Sequence, residues 1–153
     1  LVAVTGYLVG VGLFGFGPDA SIGGAGGITS LSGAVLTPAQ LAGRTLGAIG
    51  YVALCMLALG AVGLFFSTLT DSSLAAALGV LAVVVTSAVL LPLDAAAALH
   101  PYLPTTHWLA WVDLYRVPVL WTDIRDGVTV QLGWIGVAVG AAWANFSTKD
   151  ITS

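Results

Sequence analysis

Charge is what this chain has least of. Its 153 residues include no glutamate, one lysine, three arginines and seven aspartates, so only 7% of the side chains are formally charged. A water-soluble domain needs roughly a quarter of its residues charged to keep a hydrated surface, and that class is excluded. The four basic residues, Arg44, Arg116, Arg125 and Lys149, form no cluster, which argues against nucleic acid as a partner and against a polybasic lipid-binding patch. The single cysteine, Cys55, cannot form an internal disulfide and falls within an apolar run, where a small packing residue is expected. Lys149 lies near the C-terminus before Asp150, so the glycine-rich turn followed by Lys and Ser or Thr that cradles nucleotide phosphates is missing. Nor is there a Ser-centred nucleophile elbow. The chain is therefore expected not to be an enzyme and to hold no cofactor of its own.

What fills the sequence is hydrocarbon. Hydrophobic residues make up 58% of it, and the mean hydropathy is +1.03. Single charges fence off uncharged runs from Arg44 to Asp71, Asp71 to Asp94 and Asp126 to Lys149, and another run opens the chain from Leu1 to Pro18. A helix needs about 20 apolar residues to cross a hydrocarbon core of roughly 30 Å. Backbone groups in lipid must be satisfied internally, and the runs lack the strict alternation of a barrel strand. The expected fold is an all-α integral membrane protein, one transmembrane domain over residues 1–153, with four spans at about 1–17, 38–67, 74–99 and 127–146. Because the chain opens inside an apolar run with no basic leader, it is expected to be a fragment lacking its N-terminal part.

Local signals set the boundaries. The Gly- and Ser-rich stretch from Pro18 to Thr37 predicts a mobile surface loop. Thr37-Pro38 predicts a helix start, with Thr as N-cap and Pro in the first turn. The polar break Ser67 to Ser73 is short enough to force a hairpin of two spans, and Asp71-Ser72-Ser73 supplies a cap for the next helix. Pro92 and Asp94 are placed to kink or end that helix. Gly6 with Gly10, and Gly136 with Gly140, are small-xxx-small pairs that allow close packing of helices in membranes.

Residues 100–126 differ from the rest. They contain Pro101, Pro104, Pro118, both histidines, Tyr102, Tyr115, Trp108, Trp111 and Trp121. Trp and Tyr favour the headgroup level, so an interfacial, re-entrant hairpin of short helices is expected here. His100 and His107 have Asp94 and Asp113 as their nearest acidic candidates, which raises a metal or acid-base reading. All of these lie at span ends where water reaches them, and a solvated role is preferred. Asn145-Phe146-Ser147 fits the glycosylation triplet but sits at the membrane edge of a span, and is read as a chance match.

The order of features carries a resemblance. A span ending in Gly63-Leu64-Phe65-Phe66-Ser67-Thr68-Leu69-Thr70-Asp71-Ser72 leads into an alanine-rich span. There follow His100-Pro101-Tyr102-Leu103-Pro104-Thr105-Thr106-His107-Trp108 and Trp111-Val112-Asp113-Leu114-Tyr115-Arg116. The last span ends in Trp143-Ala144-Asn145-Phe146-Ser147-Thr148-Lys149-Asp150-Ile151. From about Pro38 onward this resembles the C-terminal part of a bacterial type-2 ABC (ATP-binding cassette) transporter permease subunit. The resemblance implies a six-span exporter subunit of the cytoplasmic membrane, of which the third to sixth spans are visible, with both termini cytoplasmic. It further implies a second permease copy or homologue as dimer partner, and separate ATPase subunits that bind ATP and Mg. Membrane lipid and an export substrate of unspecified class complete the expected partners.

On that template Thr70, Asp71 and Ser72 lie in a cytoplasmic turn. The hairpin faces outward, with Pro101, Tyr102, Pro104 and Trp108 as a candidate gate or lid. Charge alone gives the opposite orientation, because Arg44, Arg116 and Arg125 fall on the side the template makes external and only Lys149 on the other. The alternatives to a transporter are a membrane scaffold or anchor, and an intramembrane metal or acid-base enzyme built on His100, His107 and Asp94.

Overall fold

The computed structural model describes residues 28–149. The expected first span at 1–17, with its Gly6 and Gly10 pair, lies outside the described residues. Where a loop was expected up to Thr37, its last part folds into an antiparallel hairpin, β1 (Ile28–Thr29) and β2 (Val35–Leu36), with Ile28 opposite Leu36 and Thr29 opposite Val35. Gly33 makes the turn possible. Its φ of +80° is a left-handed conformation that side chains disfavour, and its N–H donates to the Ser30 carbonyl at 2.9 Å.

Helix α1 (Pro38–Leu69) starts as the sequence predicts. The Thr37 hydroxyl accepts from the Gln40 N–H at 3.3 Å, and the Gln40 side chain accepts from the Thr37 N–H at 3.1 Å, a reciprocal capping box with Pro38 in the first turn. Helix α2 (Ser73–Leu90) is capped by Ser72, whose hydroxyl accepts from the Ala75 N–H at 3.4 Å. It was expected to continue to Leu99 but stops at Leu90. Pro92 has no N–H to extend the ladder, and after a turn the chain tightens into the 3-10 helix η1 (Asp94–Tyr102). A second 3-10 helix, η2 (Ala110–Tyr115), follows. Helix α3 (Trp121–Lys149) begins six residues before the expected start at 127, because Asp123, Arg125 and Asp126 belong to its first turns instead of marking its edge.

Helices α1 and α3 run side by side and parallel. They meet at a constant offset: Tyr51 lies against Gly127, Val62 clusters with Ala138, and Asn145 donates to Thr68. The buried positions of α1 include Ala48, Tyr51, Cys55, Ala58 and Val62, which alternate spacings of three and four residues. That period keeps one seam facing a neighbouring helix, and small side chains on it let the backbones approach. Cys55 is one of these buried seam residues. Helix α2 leans on the other half of α1, where the Phe66 ring occupies the space above Gly79, so that a Cβ at Gly79 would come within 2.7 Å of it.

At the far end of the seam the Asn145 amide donates to the Thr68 carbonyl at 2.8 Å and to its hydroxyl at 3.0 Å. The amide of the glycosylation triplet is thus engaged in packing. An Asn145→Leu variant is expected to lose about 1 kcal/mol of stability, the usual size of an interhelical polar contact in membranes, read as a lower thermal midpoint in detergent.

Three helices, Ala39–Leu69, Ser73–Leu90 and Trp121–Thr148, are long and apolar enough to cross a membrane. Only 28%, 11% and 22% of their most apolar windows are buried within the chain. On α2, Leu74, Leu78, Leu81, Val85 and Val89 form a continuous exposed face. A contiguous apolar face of this kind marks contact with lipid or with another chain. These are the features of a multi-pass membrane protein.

Candidate functional site

The segment between α2 and α3 does not pass directly from one helix to the next. It turns back along the bundle and is held there by side chains from all three long helices. Irregular backbone at membrane depth persists only where protein satisfies its polar groups, and the hydrogen bonds here do that one carbonyl at a time. Trp134 Nε1 on α3 donates to the Tyr102 carbonyl at 2.9 Å, and Gln131 Nε2 donates to the Pro104 carbonyl at 2.8 Å. From α1, the Tyr51 hydroxyl donates to the His107 carbonyl at 2.7 Å, and Arg44 donates to the Arg116 carbonyl at 3.0 Å. From α2, Ser87 shares a 2.6 Å hydrogen bond with Thr105.

These partners give the path of the segment. Beyond Leu90 the His100 ring bonds back to the Leu90 carbonyl at 3.1 Å, closing the descent. The lowest stretch is Tyr102 to Pro104, gripped by Gln131 and Trp134. The chain then rises antiparallel to α1: His107 meets Tyr51, Leu114 touches Gly47, Tyr115 donates to Thr45 at 3.1 Å, and Arg116 meets Arg44. From Tyr51 to Arg44 the rise is about 10 Å at 1.5 Å per helical residue. At the top the β-hairpin secures the exit, with Leu31 donating to the Tyr115 carbonyl at 3.1 Å and Val117 to the Ser32 hydroxyl at 2.8 Å.

The rising limb packs as well as bonds. Ala110 and Leu114 are buried with Ala48, Tyr51, Cys55 and Ile124, and Trp108, Trp111 and Tyr115 close over them. Gly127 allows this junction to form. A Cβ there would overlap the Tyr51 hydroxyl and come within 2.8 Å of the His107 Cβ. Beneath the lowest stretch is a cleft of about 370 Å³ bounded by Phe66, Val83, Thr86, Leu103, Pro104 and Trp134.

The four residues expected to form a gate divide into two pairs. Pro104 is buried at the base of the segment, and Trp108 is half-buried against the α1 and α3 seam. Pro101 and Tyr102 face outward, and Tyr102 is 72% exposed. Among the described residues, Trp108 Nε1 on the rising limb and Gln131 Oε1 at the base are buried without a hydrogen-bond partner. Thr70, Asp71 and Ser72 form the turn at the opposite end, where the Thr70 hydroxyl accepts from the Ser72 N–H at 3.1 Å.

Asp94, His100 and His107 do not converge. Asp94 is exposed, His100 is bonded to Leu90, and among the described residues no group of three His, Cys, Asp or Glu is placed to hold a metal. Asp113 instead pairs with Arg116 at 2.7 Å. The residues that position the segment were missed at the sequence level. They are Tyr51, Ser87, Gln131 and Trp134, polar side chains inside otherwise apolar runs. Their signal is that two prolines, Pro101 and Pro104, disrupt regular pairing in the loop and leave carbonyls that need donors from elsewhere.

Fold and site together define a bundle of membrane-length helices with an irregular segment folded back among them. Comparison with family models, with curated proteins and with solved structures returns no match.

Proposed function

We propose that the chain is the membrane-spanning permease subunit of an ABC exporter in the bacterial cytoplasmic membrane. On this reading α1, α2 and α3 are the fourth to sixth of six spans, the turn at Thr70, Asp71 and Ser72 is cytoplasmic, and the folded-back segment faces outward. Substrate moves by alternating access, driven by ATP and Mg in a separate ATPase subunit, and a second permease copy or homologue covers part of the exposed helix faces. The segment around Pro101, Tyr102, Pro104 and Trp108 is the outward gate.

The observation that carries the reading is the attachment of one irregular segment to three different helices through single hydrogen bonds at Tyr51, Ser87, Gln131 and Trp134. A relative shift of any helix changes its hold on the segment. Interactions that differ between two packings are what let a partner bias a conformational equilibrium.

The test uses the full chain purified from its native membrane. A cassette ATPase is expected to co-purify, and in a Cys55→Ala background a Tyr102→Cys thiol is expected to change its labelling rate several-fold between nucleotide-free and ATP-trapped states. A chain that brings down no ATPase and labels identically in both states is a scaffold or anchor, and the reading fails.

A further inference from the structure

A second feature lies nearer the starts of α1 and α3 than the cleft under Pro104. An open-sided apolar groove of about 510 Å³ runs between the first half of α1 and the start of α3, walled by Gly43, Gly47, Gly50, Leu114, Ile124 and Val128. That volume is within the range of about 300–1,000 Å³ typical of ligand sites. Arg44 and Trp121 also line it, at its outer end. A smaller groove of about 420 Å³ adjoins it and shares Trp121, Ile124 and Val128.

Helix lengths give the level of this groove in the membrane. α1 has 32 residues and is about 48 Å long, well beyond a hydrocarbon core of about 30 Å. With Leu69 and Asp71 at one boundary, about 20 residues of α1 bring the other boundary close to Gly50. Arg44 then stands about 9 Å above it, among the headgroups, while the inner end of the groove at Leu54 lies about 6 Å within the hydrocarbon. Trp121, 65% exposed, is at the matching level on α3, where indole rings settle.

Among the described residues Arg44 is also the arginine that faces no carboxylate. Arg116 pairs with Asp113 at 2.7 Å and Arg125 faces Asp126 at 3.9 Å, whereas among the described residues Arg44 has only its bond to the Arg116 carbonyl. Asp123 and Asp126 on α3 are exposed. A groove with an apolar lining and, in the headgroup layer, a guanidinium that faces no carboxylate among the described residues is complementary to an anionic amphiphile of the bilayer itself.

We infer that this groove is a binding site for an anionic phospholipid, with an acyl chain running inward along Gly47, Gly50 and Leu54 and the phosphate on Arg44. The site holds whether or not the chain transports anything, and its test does not depend on ATP. Native mass spectrometry of the full chain in detergent is titrated with phosphatidylglycerol and with phosphatidylcholine of identical acyl chains. About fivefold tighter retention of phosphatidylglycerol is expected, the worth of one cation near the headgroups. Arg44→Gln abolishes that preference, and Arg125→Gln, whose guanidinium already faces Asp126, leaves it in place. Gly50→Leu projects a side chain into the groove where a Cβ meets no atom within 4 Å, and it reduces retention of both lipids without lowering the thermal midpoint. Equal retention of the two lipids by the wild type, a preference that survives Arg44→Gln or is lost equally in Arg125→Gln, or a second copy of the chain filling the groove and excluding lipid would each overturn the inference.

Discussion

Gly127→Ala is expected to cost about 3 kcal/mol of stability, seen as a drop in the thermal midpoint of the purified protein. The added methyl would occupy the position of the Tyr51 hydroxyl and press on the His107 Cβ at 2.8 Å. Overpacking of this kind typically costs 1–3 kcal/mol. Displacing Tyr51 also removes its 2.7 Å hydrogen bond to the His107 carbonyl, worth about 1 kcal/mol more. Tyr51→Phe alone keeps the ring and should cost only that last amount. In the Tyr51→Phe background Gly127→Ala should be milder by about 1 kcal/mol or more, because the nearest colliding atom is gone. The two residues are in contact, so non-additivity is the expected signature. Strict additivity would mean that the methyl is accommodated elsewhere and that this junction is not tight.

Gln131→Leu is expected to loosen the base of the folded-back segment. Gln131 is fully buried, and its Nε2 donates to the Pro104 carbonyl at 2.8 Å. Leucine fills a similar volume but leaves that carbonyl without its donor, a loss of about 1–2 kcal/mol. That is roughly a five- to thirtyfold shift between held and released states. Thiol labelling at Pro104→Cys, in a Cys55→Ala background, should accelerate by a comparable factor, while Asn145→Leu at the far end of the seam should leave it unchanged. Unaltered labelling in Gln131→Leu would show that the segment is held by its apolar packing instead.

Much of the scaffold was legible because lipid as solvent imposes simple rules. Uncharged runs gave three of the helices, and Thr37-Pro38 and Ser72 marked two starts through the chemistry of unsatisfied N–H groups. The errors fell where charge was taken as a boundary. Asp123, Arg125 and Asp126 lie within α3 because that helix, at 29 residues, is longer than the hydrocarbon it crosses. Pro92 ended α2 nine residues before the limit suggested by the alanine-rich run to Leu99. The site was less legible for a different reason. Aromatic and proline content located the segment, but the residues that hold it, Tyr51, Ser87 and Gln131, are separated from it by 18 to 56 residues of sequence. One or two polar side chains per helix leave no periodic signal.

Helix α2 has a consequence for the host membrane. With 18 residues it measures about 27 Å, and exposed Asp94 begins the segment just beyond its end. α1 and α3 are long enough to accommodate a thicker bilayer by shifting along the normal, but α2 cannot lengthen. Hydrophobic mismatch therefore acts on this one helix, at a fraction of a kcal/mol per Å. Lipids with longer tails would submerge the Asp94 carboxylate, so the shortest helix sets which membranes suit the whole protein.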